Sequence, residues 1–422
     1  MTTISTLRSL VMVALLLASL AGQAQSLTLD ECYAMAEQNY PLIKQRELIV
    51  KSKEYSIDNA AKGYLPQLAV NGQATYQSDV TRIPVDAPGF HVPLISKDQY
   101  KVYGEATQTL FDGGVIREQQ ASLEANAKVD EQKLEVELYK LRDRVNQLFF
   151  GALMMDEQLK QNNLLIQDLQ NGIAKTDAAV ANGTALKSSL NMLKAEWLKA
   201  QQRTVELRAT RMAYTDMLGL FINRTLGDSS ALVKPVAPIV EQEIRRPEMQ
   251  WYTYQDQSAE VQYKMLAARN RPKLSLFVQA GYGRPALNML DNSFKGYYLG
   301  GIRLNWSLSG LYTYKKDKAL IDLNKRNIDV QRQTFLFNTN MTLQQQNREA
   351  AKYQQLLASD DEIIALRVSV KNAASAQLEN GVIDTNDYLR EVNAQDQAQQ
   401  SKILHEIQFL MAQYNQKTTT GN

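Results

Sequence analysis

Residues 41–76 and 247–282 are two versions of one segment, set apart by a constant offset of 206 residues. Pro41 answers Pro247, Pro66 answers Pro272, and Leu68-x-Val70-x-x-Gln73-Ala74-x-Tyr76 reappears as Leu274-x-Leu276-x-x-Gln279-Ala280-x-Tyr282. Further on the offset falls to about 198, where Ala181-Asn182-Gly183 faces Glu379-Asn380-Gly381, as a shorter loop in the second copy would cause. Such a repeat constrains the fold more than length does, because whatever one half builds the molecule must build twice.

Each copy carries two segments that alternate apolar and polar residues with period two, the pattern of half-buried strands. In 66–77 the even positions include Leu68, Val70, Gly72, Ala74 and Tyr76, and in 99–110 they include Tyr100, Val102, Gly104, Ala106 and Leu110, broken by Gln108. The second copy gives Leu274, Leu276, Val278, Ala280 and Tyr282, then Tyr298, Gly300, Ile302, Leu304, Trp306 and Leu308. Each run is about the ~9–11 residues that a tilted strand needs to cross a hydrocarbon layer. Tyr64, Tyr76, Tyr100, Tyr282, Tyr298 and Trp306 fall towards strand ends, as in the aromatic girdles of membrane barrels. A half-buried strand in a soluble sheet has the same alternation. The flanking sequence favours the membrane, because the strands form two hairpins, joined by Ser78–Asp98 and Arg284–Lys295, with long polar helices filling the rest.

From 112 to about 222 the heptad spacing predicts helix with one interruption. Leu134, Leu138, Leu141, Val145, Leu148, Ala152, Met155, Leu159, Ile166, Leu169, Ile173 and Val180 keep the alternating four-three spacing, with Asn162 and Thr176 in the remaining slots. A helix from about 115 to 180 would be roughly 100 Å long at ~1.5 Å per residue. Asn182-Gly183-Thr184 stops it, and Leu186, Leu190, Leu193, Trp197, Ala200, Thr204, Leu207, Tyr214 and Leu218 resume the pattern on the way back. The second copy predicts helix from about 311 to 378, a stop at Asn380-Gly381, and a return through Tyr388, Leu389, Ile403, Ile407, Leu410 and Tyr414. Its heptad is ragged, with polar runs such as Leu343-Gln344-Gln345-Gln346-Asn347 that read as faces meeting water or a neighbouring chain.

Residues 1–24 read as a secretory signal, with Arg8, an apolar stretch from Leu10 to Leu20, and Ala21-Gly22-Gln23-Ala24 as the cleavage site. The expected product is an exported chain with one cysteine, Cys32, which cannot form an intramolecular disulfide and reads as a buried or interfacial thiol. Lys and Arg number 47 against 45 Asp and Glu, a balance that argues against nucleic acid as a partner. No catalytic constellation stands out, so the reading is a non-enzyme without cofactor or metal. The two histidines, His91 in a strand loop and His405 on a late helix, lack metal-ligand spacing, and His405 reads as a helix-surface residue.

A spanning sheet must close on itself in lipid, and single-chain barrels begin at about eight strands. Four strands per chain therefore force oligomerisation, with two copies giving eight strands and three giving twelve. The competing class is a soluble periplasmic coiled-coil scaffold or adaptor with an ordinary β-domain.

Leu110-Phe111-Asp112-Gly113-Gly114 at a strand-to-helix junction, Leu65-Pro66 opening the first strand, the Asn-Gly tips and the duplication together resemble the outer membrane efflux protein family, the TolC-like channels. The resemblance covers about 27–417, and the second copy departs from it at Ser307-Leu308-Ser309-Gly310-Leu311, which keeps one glycine and loses the acid. It implies a mixed α and membrane-β fold: a homotrimer whose protomers each give four strands to a shared 12-stranded β-barrel, continued by a long periplasmic α-helical barrel. It also implies residence in the Gram-negative outer membrane, contact with its lipid, and work as a passive exit duct for an inner-membrane RND or ABC transporter. A periplasmic adaptor, the membrane fusion protein, would join the two.

On this reading 1–24 is the signal, 25–65 N-terminal helices, 66–111 the first barrel hairpin and 112–222 the first helical hairpin. An equatorial connector and helix at 223–271, a second barrel hairpin at 272–308, a second helical hairpin at 309–417 and a tail at 418–422 complete the chain. The tips near 181–190 and 379–390 are the expected entrance. Asp384 and Asp387 would each become a ring of three carboxylates in a threefold assembly, and such rings favour cations. Asp384, Thr385 or Asn386 would equally serve as a simple helix cap. The resemblance places Asp387 at an acidic entrance position, but Arg390 stands where the family's other entrance acid falls. Lys187 and Ser188 are candidates to hold the closed state, and Gly183, Thr184, Gly381 and Val382 are candidate adaptor-docking residues.

Overall fold

The computed structural model describes residues 26–81, 95–227 and 230–422; the signal segment and His91 lie outside the described residues. In chain order the elements are α1 (Leu29–Asn39), α2 (Gln45–Ala61), β1 (Gln67–Tyr76), β2 (Asp98–Phe111), α3 (Val115–Tyr139), α4 (Leu141–Ala181) and α5 (Lys187–Ile222). They continue with α6 (Pro247–Arg269), β3 (Lys273–Arg284), β4 (Lys295–Asn305), α7 (Gly310–Glu379) and α8 (Thr385–Thr420). The chain falls into two compact units, one of Lys44–Lys133 with Glu248–Gln333, the other of the N-terminal stretch to Ile43 with Leu134–Pro247 and Thr334–Asn422.

The first unit holds the sheet. Pro66 and Pro272 each sit one residue before a strand, where a missing N–H costs the ladder nothing. All neighbours are antiparallel in the order β1-β2-β3-β4, so the inner pair joins the two copies of the repeat. Register puts Val70 beside Gly104, Ala280 and Tyr298, and Ala106 beside Leu68, Val278 and Gly300, which gathers the even positions onto one face. That face is uncovered: Leu68, Val70, Val102, Val278, Ile302 and Leu304 are all exposed. Tyr76, Tyr100 and Tyr282 cluster at the hairpin-loop end, where Tyr282 stacks on Phe294 at 5.9 Å. The two hairpin loops are pinned together by Asn292, which accepts from the Ser96 N–H at 3.0 Å and donates to its Oγ at 2.9 Å.

At the other end of the sheet, the Asp112-Gly113-Gly114 turn converts β2 into α3. Asp112 accepts from the N–H groups of Gly114 at 2.8 Å and Ile116 at 2.6 Å, capping the helix. Gly113 has φ +77°, and a Cβ there would lie 2.8 Å from the Ala268 carbonyl oxygen, so only glycine fits.

The second unit is helical. Its main core gathers Leu29, Cys32, Ala36, Val145, Phe149, Phe150, Leu218, Ile222, Ile407 and Tyr414 from α1, α4, α5 and α8. Phe149 and Phe150 are fully buried and meet edge to face at 6.0 Å, each burial stabilising by about 1.5–3 kcal/mol. Every heptad residue named on the outgoing helix is buried or half-buried, as the spacing predicts. The helix itself is divided at Lys140, whose N–H reaches the Val136 oxygen at a stretched 3.4 Å; heptad spacing does not register one loosened turn.

Two further features leave no local trace in the sequence. The connector after α5 runs extended beside the N-terminus, with the Leu27 N–H on the Ala231 oxygen at 2.9 Å and the Val233 N–H on the Leu27 oxygen at 3.0 Å. The expected tail at 418–422 is instead largely helix: α8 continues to Thr420 and closes at Gly421, φ +89°. Thr418, Thr419 and Thr420 are buried, and Asn146 Nδ2 donates to Thr418 Oγ1 at 3.2 Å, so long-range contacts order a stretch whose polarity reads as loose.

Candidate functional site

The two tips are built by the same backbone device. After α4 the Gly183 N–H bonds to the Val180 oxygen at 3.0 Å and the Thr184 N–H to the Ala179 oxygen at 2.8 Å. After α7 the Gly381 N–H bonds to the Leu378 oxygen at 3.1 Å and the Val382 N–H to the Gln377 oxygen at 2.8 Å. These are paired Schellman closures, with Gly183 at φ +73° and Gly381 at φ +70° in the left-handed position. Both glycines face open space, with no atom within 4 Å of where a Cβ would stand, so here backbone conformation and not crowding selects glycine. Thr184, Leu186 and Val382 are exposed, leaving two apolar side chains at the tips in solvent.

The returning helices start differently. Leu186 occupies the cap of α5 without a side-chain hydrogen bond, whereas Asp384 caps α8 by accepting the Asp387 N–H at 2.9 Å. The capping reading of Asp384 is thus what the structure shows; Thr385 is buried in the first turn and Asn386 is exposed. Asp387 accepts from Arg390 Nη1 at 3.2 Å, and Arg390 Nε donates to Glu391 at 3.0 Å. The hydrogen bond to Glu391, then the charges of Asp387 and Glu391, hold the Arg390 guanidinium above its ordinary pKa. Asp387 therefore carries its own counter-charge one helical turn away. Lys187 and Ser188 are exposed at the start of α5, and among the described residues neither bonds to Asp384 or Asp387.

Beneath the tips lies a second apolar cluster of Leu169, Leu193, Ala200, Ala374, Tyr388, Leu389 and Val392. Gly172 lets Tyr388 and Leu193 close over α4, at 3.6 and 3.4 Å from where a Cβ would stand. Burial, then the nearby Asp168 and Glu379 charges, pushes the Tyr388 hydroxyl above its ordinary pKa. Ion pairs cross between helices around this cluster: Lys371 with Asp168 at 2.9 Å, Arg367 with Glu391 at 3.6 Å, and Lys175 with Glu379. Sequence reasoning missed these, because a pair some two hundred residues apart, or one set by the packing of two helices, leaves no local signal. Arg390 with Asp387, at spacing i,i+3, is the pair at the tips that the sequence makes legible.

Farther along α8, Asp396 is buried and receives Gln161 Nε2 at 2.9 Å and Gln400 Nε2 at 2.8 Å; burial raises its pKa despite both bonds. His405 is not the surface residue expected. Its side chain is 17 % exposed and its Nδ1 lies 2.8 Å from Oδ2 of the buried Asp360 on α7, because the α7–α8 packing brings a carboxylate beneath it. No group of three or more His, Cys, Asp and Glu suited to a metal occurs among the described residues. No described helix is long and apolar enough to cross a membrane.

The family model described as outer membrane efflux protein matches residues 32–215. No curated protein sequence matches the chain. Among solved structures, the outer membrane protein VceC of Vibrio cholerae superposes with TM-score 0.66 at 11 % identity, over 93 % of this chain and 96 % of that one. The MtrE outer membrane channel of Neisseria gonorrhoeae in its open state gives 0.65 at 14 %, over 93 % and 89 %. The CmeC outer membrane channel of Campylobacter jejuni gives 0.64 at 13 %, over 93 % and 85 %. The matched segment, which includes the Leu-Phe-Asp-Gly-Gly turn, is similar to outer membrane efflux proteins, and the fold of these channels is shared across nearly the whole length of the chain.

Proposed function

We propose that the chain is the outer-membrane exit duct of a tripartite efflux or type I secretion system in a Gram-negative cell, a passive conduit that spans the outer membrane and reaches into the periplasm. One observation carries the reading: a four-stranded sheet with an uncovered apolar face on one side, a polar face on the other, and open edges at β1 and β4. In lipid an open edge leaves unpaired backbone groups that each cost several kcal/mol, so the sheet closes only with other copies. Three chains supply twelve strands. The same uncovered face speaks against a soluble scaffold or adaptor, which would expose this surface to water.

The duct performs no chemistry. Its work is to offer a wetted path, while an inner-membrane RND or ABC transporter supplies energy and a periplasmic adaptor docks at the helical tips. Supporting the docking is the exposure of Gly183, Thr184, Gly381 and Val382 on two similarly built turns. Extraction and reconstitution test the reading: the mature chain should require detergent, run as a trimer, and give stepwise conductance in a planar bilayer. A monomer recovered in the soluble periplasmic fraction would overturn it.

A further inference from the structure

The polar face of the sheet has an unequal charge distribution. Among the described strand residues, the charged side chains at its odd positions are Lys101, Glu105, Lys273, Lys295 and Arg303. Three of these are neutralised in pairs. Arg303 Nη1 bonds to Glu105 at 3.1 Å while its guanidinium lies 4.4 Å over the Phe277 ring, and Gln279 Nε2 and Thr107 Oγ1 saturate the same carboxylate at 2.7 and 3.1 Å. Lys295 pairs with Asp291. What remains is Lys101 near the start of β2 and Lys273 at the start of β3, each without an acid partner among the described residues. Gly283 leaves room for Lys101, for a Cβ there would stand 2.9 Å from the Lys101 Cγ; the lysine stem lies across the glycine. Antiparallel pairing sets Lys101 and Lys273 at opposite ends of the sheet, with the neutral Glu105–Arg303 belt between them.

Resting on the trimeric duct reading, which turns the polar face inward, we propose that Lys101 and Lys273 form two cationic rings that make the barrel lumen prefer anions, so that anionic solutes are the cargo class it passes most readily. Rings of one sign set selectivity by raising the local concentration of counter-ions. The paired belt between them contributes little field. Asp387 opposes the rings weakly, since Arg390 offsets it within the same protomer. A Debye length of ~10 Å at 0.1 M salt and ~3 Å at 1 M predicts that the preference fades as salt rises.

The full mature chain reconstituted in a planar bilayer under a KCl gradient provides the test. At about 0.1 M salt the Lys101→Gln/Lys273→Gln double variant should lower the chloride-to-potassium permeability ratio by about two-fold or more, and the corresponding Glu pair should invert it. Lys101→Cys offers a second measurement on an already assembled channel, because Cys32 is fully buried and will not compete for reagent. A cationic methanethiosulfonate should restore its anion preference and an anionic one should deepen the loss. Conducting variants with an unchanged ratio, and a Cys variant indifferent to reagent charge, would overturn the proposal and leave the duct intact. Absence of conductance from the wild-type chain would overturn both.

Discussion

Asn162 on α4 donates through Nδ2 to Thr204 Oγ1 on α5 at 2.8 Å, and to the Ala200 carbonyl at 2.7 Å, joining two polar slots of the heptad across the helical hairpin. A buried polar pair in an apolar seam fixes which layers face each other, at some cost in stability. Asn162→Ala should therefore destabilise by about 1–3 kcal/mol, since it opens space and removes two bonds. Asn162→Leu should stay close to wild type, because Thr204 Oγ1 also reaches the Ala200 oxygen at 3.2 Å and is not orphaned. Thermal unfolding of the detergent-solubilised protein separates the two; equal losses would show that the pair carries no special weight.

Asp387 and Arg390 form an exposed pair, so removing either should expose the other's charge. Arg390→Gln is expected to raise cation preference in reconstituted channels and Asp387→Ala to reduce it. Unchanged reversal potentials in both variants would place the pair outside the lumen.

Asp396 is a buried acid with a raised folded pKa, so the folded state binds its proton more tightly than the unfolded chain does. Stability from this group is present below the unfolded value of about 3.9 and is lost as pH rises through the folded value. Asp396→Asn, which keeps an acceptor for Gln161 or Gln400, should thus raise the melting temperature at neutral pH by a few degrees. The gain should vanish near pH 3; a constant gain across pH would assign it to something other than the charge.

Cys32 is fully buried in the main helical core, and burial pushes its thiol pKa up to about 12. The native protein should leave it unmodified by a thiol reagent at pH 8, and denaturation should expose one equivalent. Rapid native labelling would mean that the α1 packing opens readily.

At the tips, cysteines placed by Thr184→Cys and Val382→Cys should cross-link to a periplasmic partner in cells. Capture of none would count against docking there. Gly183→Ala and Gly381→Ala should each cost about 1 kcal/mol through the left-handed backbone alone, because neither adds a clash.

Much of this architecture is local and is readable as such. Period-two runs mark the strands from 67 to 305, heptads mark the helices, and Asn-Gly steps mark both tips, because each pattern reports which face of its own segment is buried. Asp384 as a cap and Asp387 beside Arg390 belong to the same class, being three residues apart.

Tertiary structure decided what lies far apart in the chain. It set β2 against β3, slid the connector beside Leu27, carried α8 through Thr420, placed Asp360 under His405, and matched Lys371 to Asp168. Periodicity specifies that a face is covered, but the rotation and offset of packed elements choose the covering residue, and those emerge only when all the segments pack together.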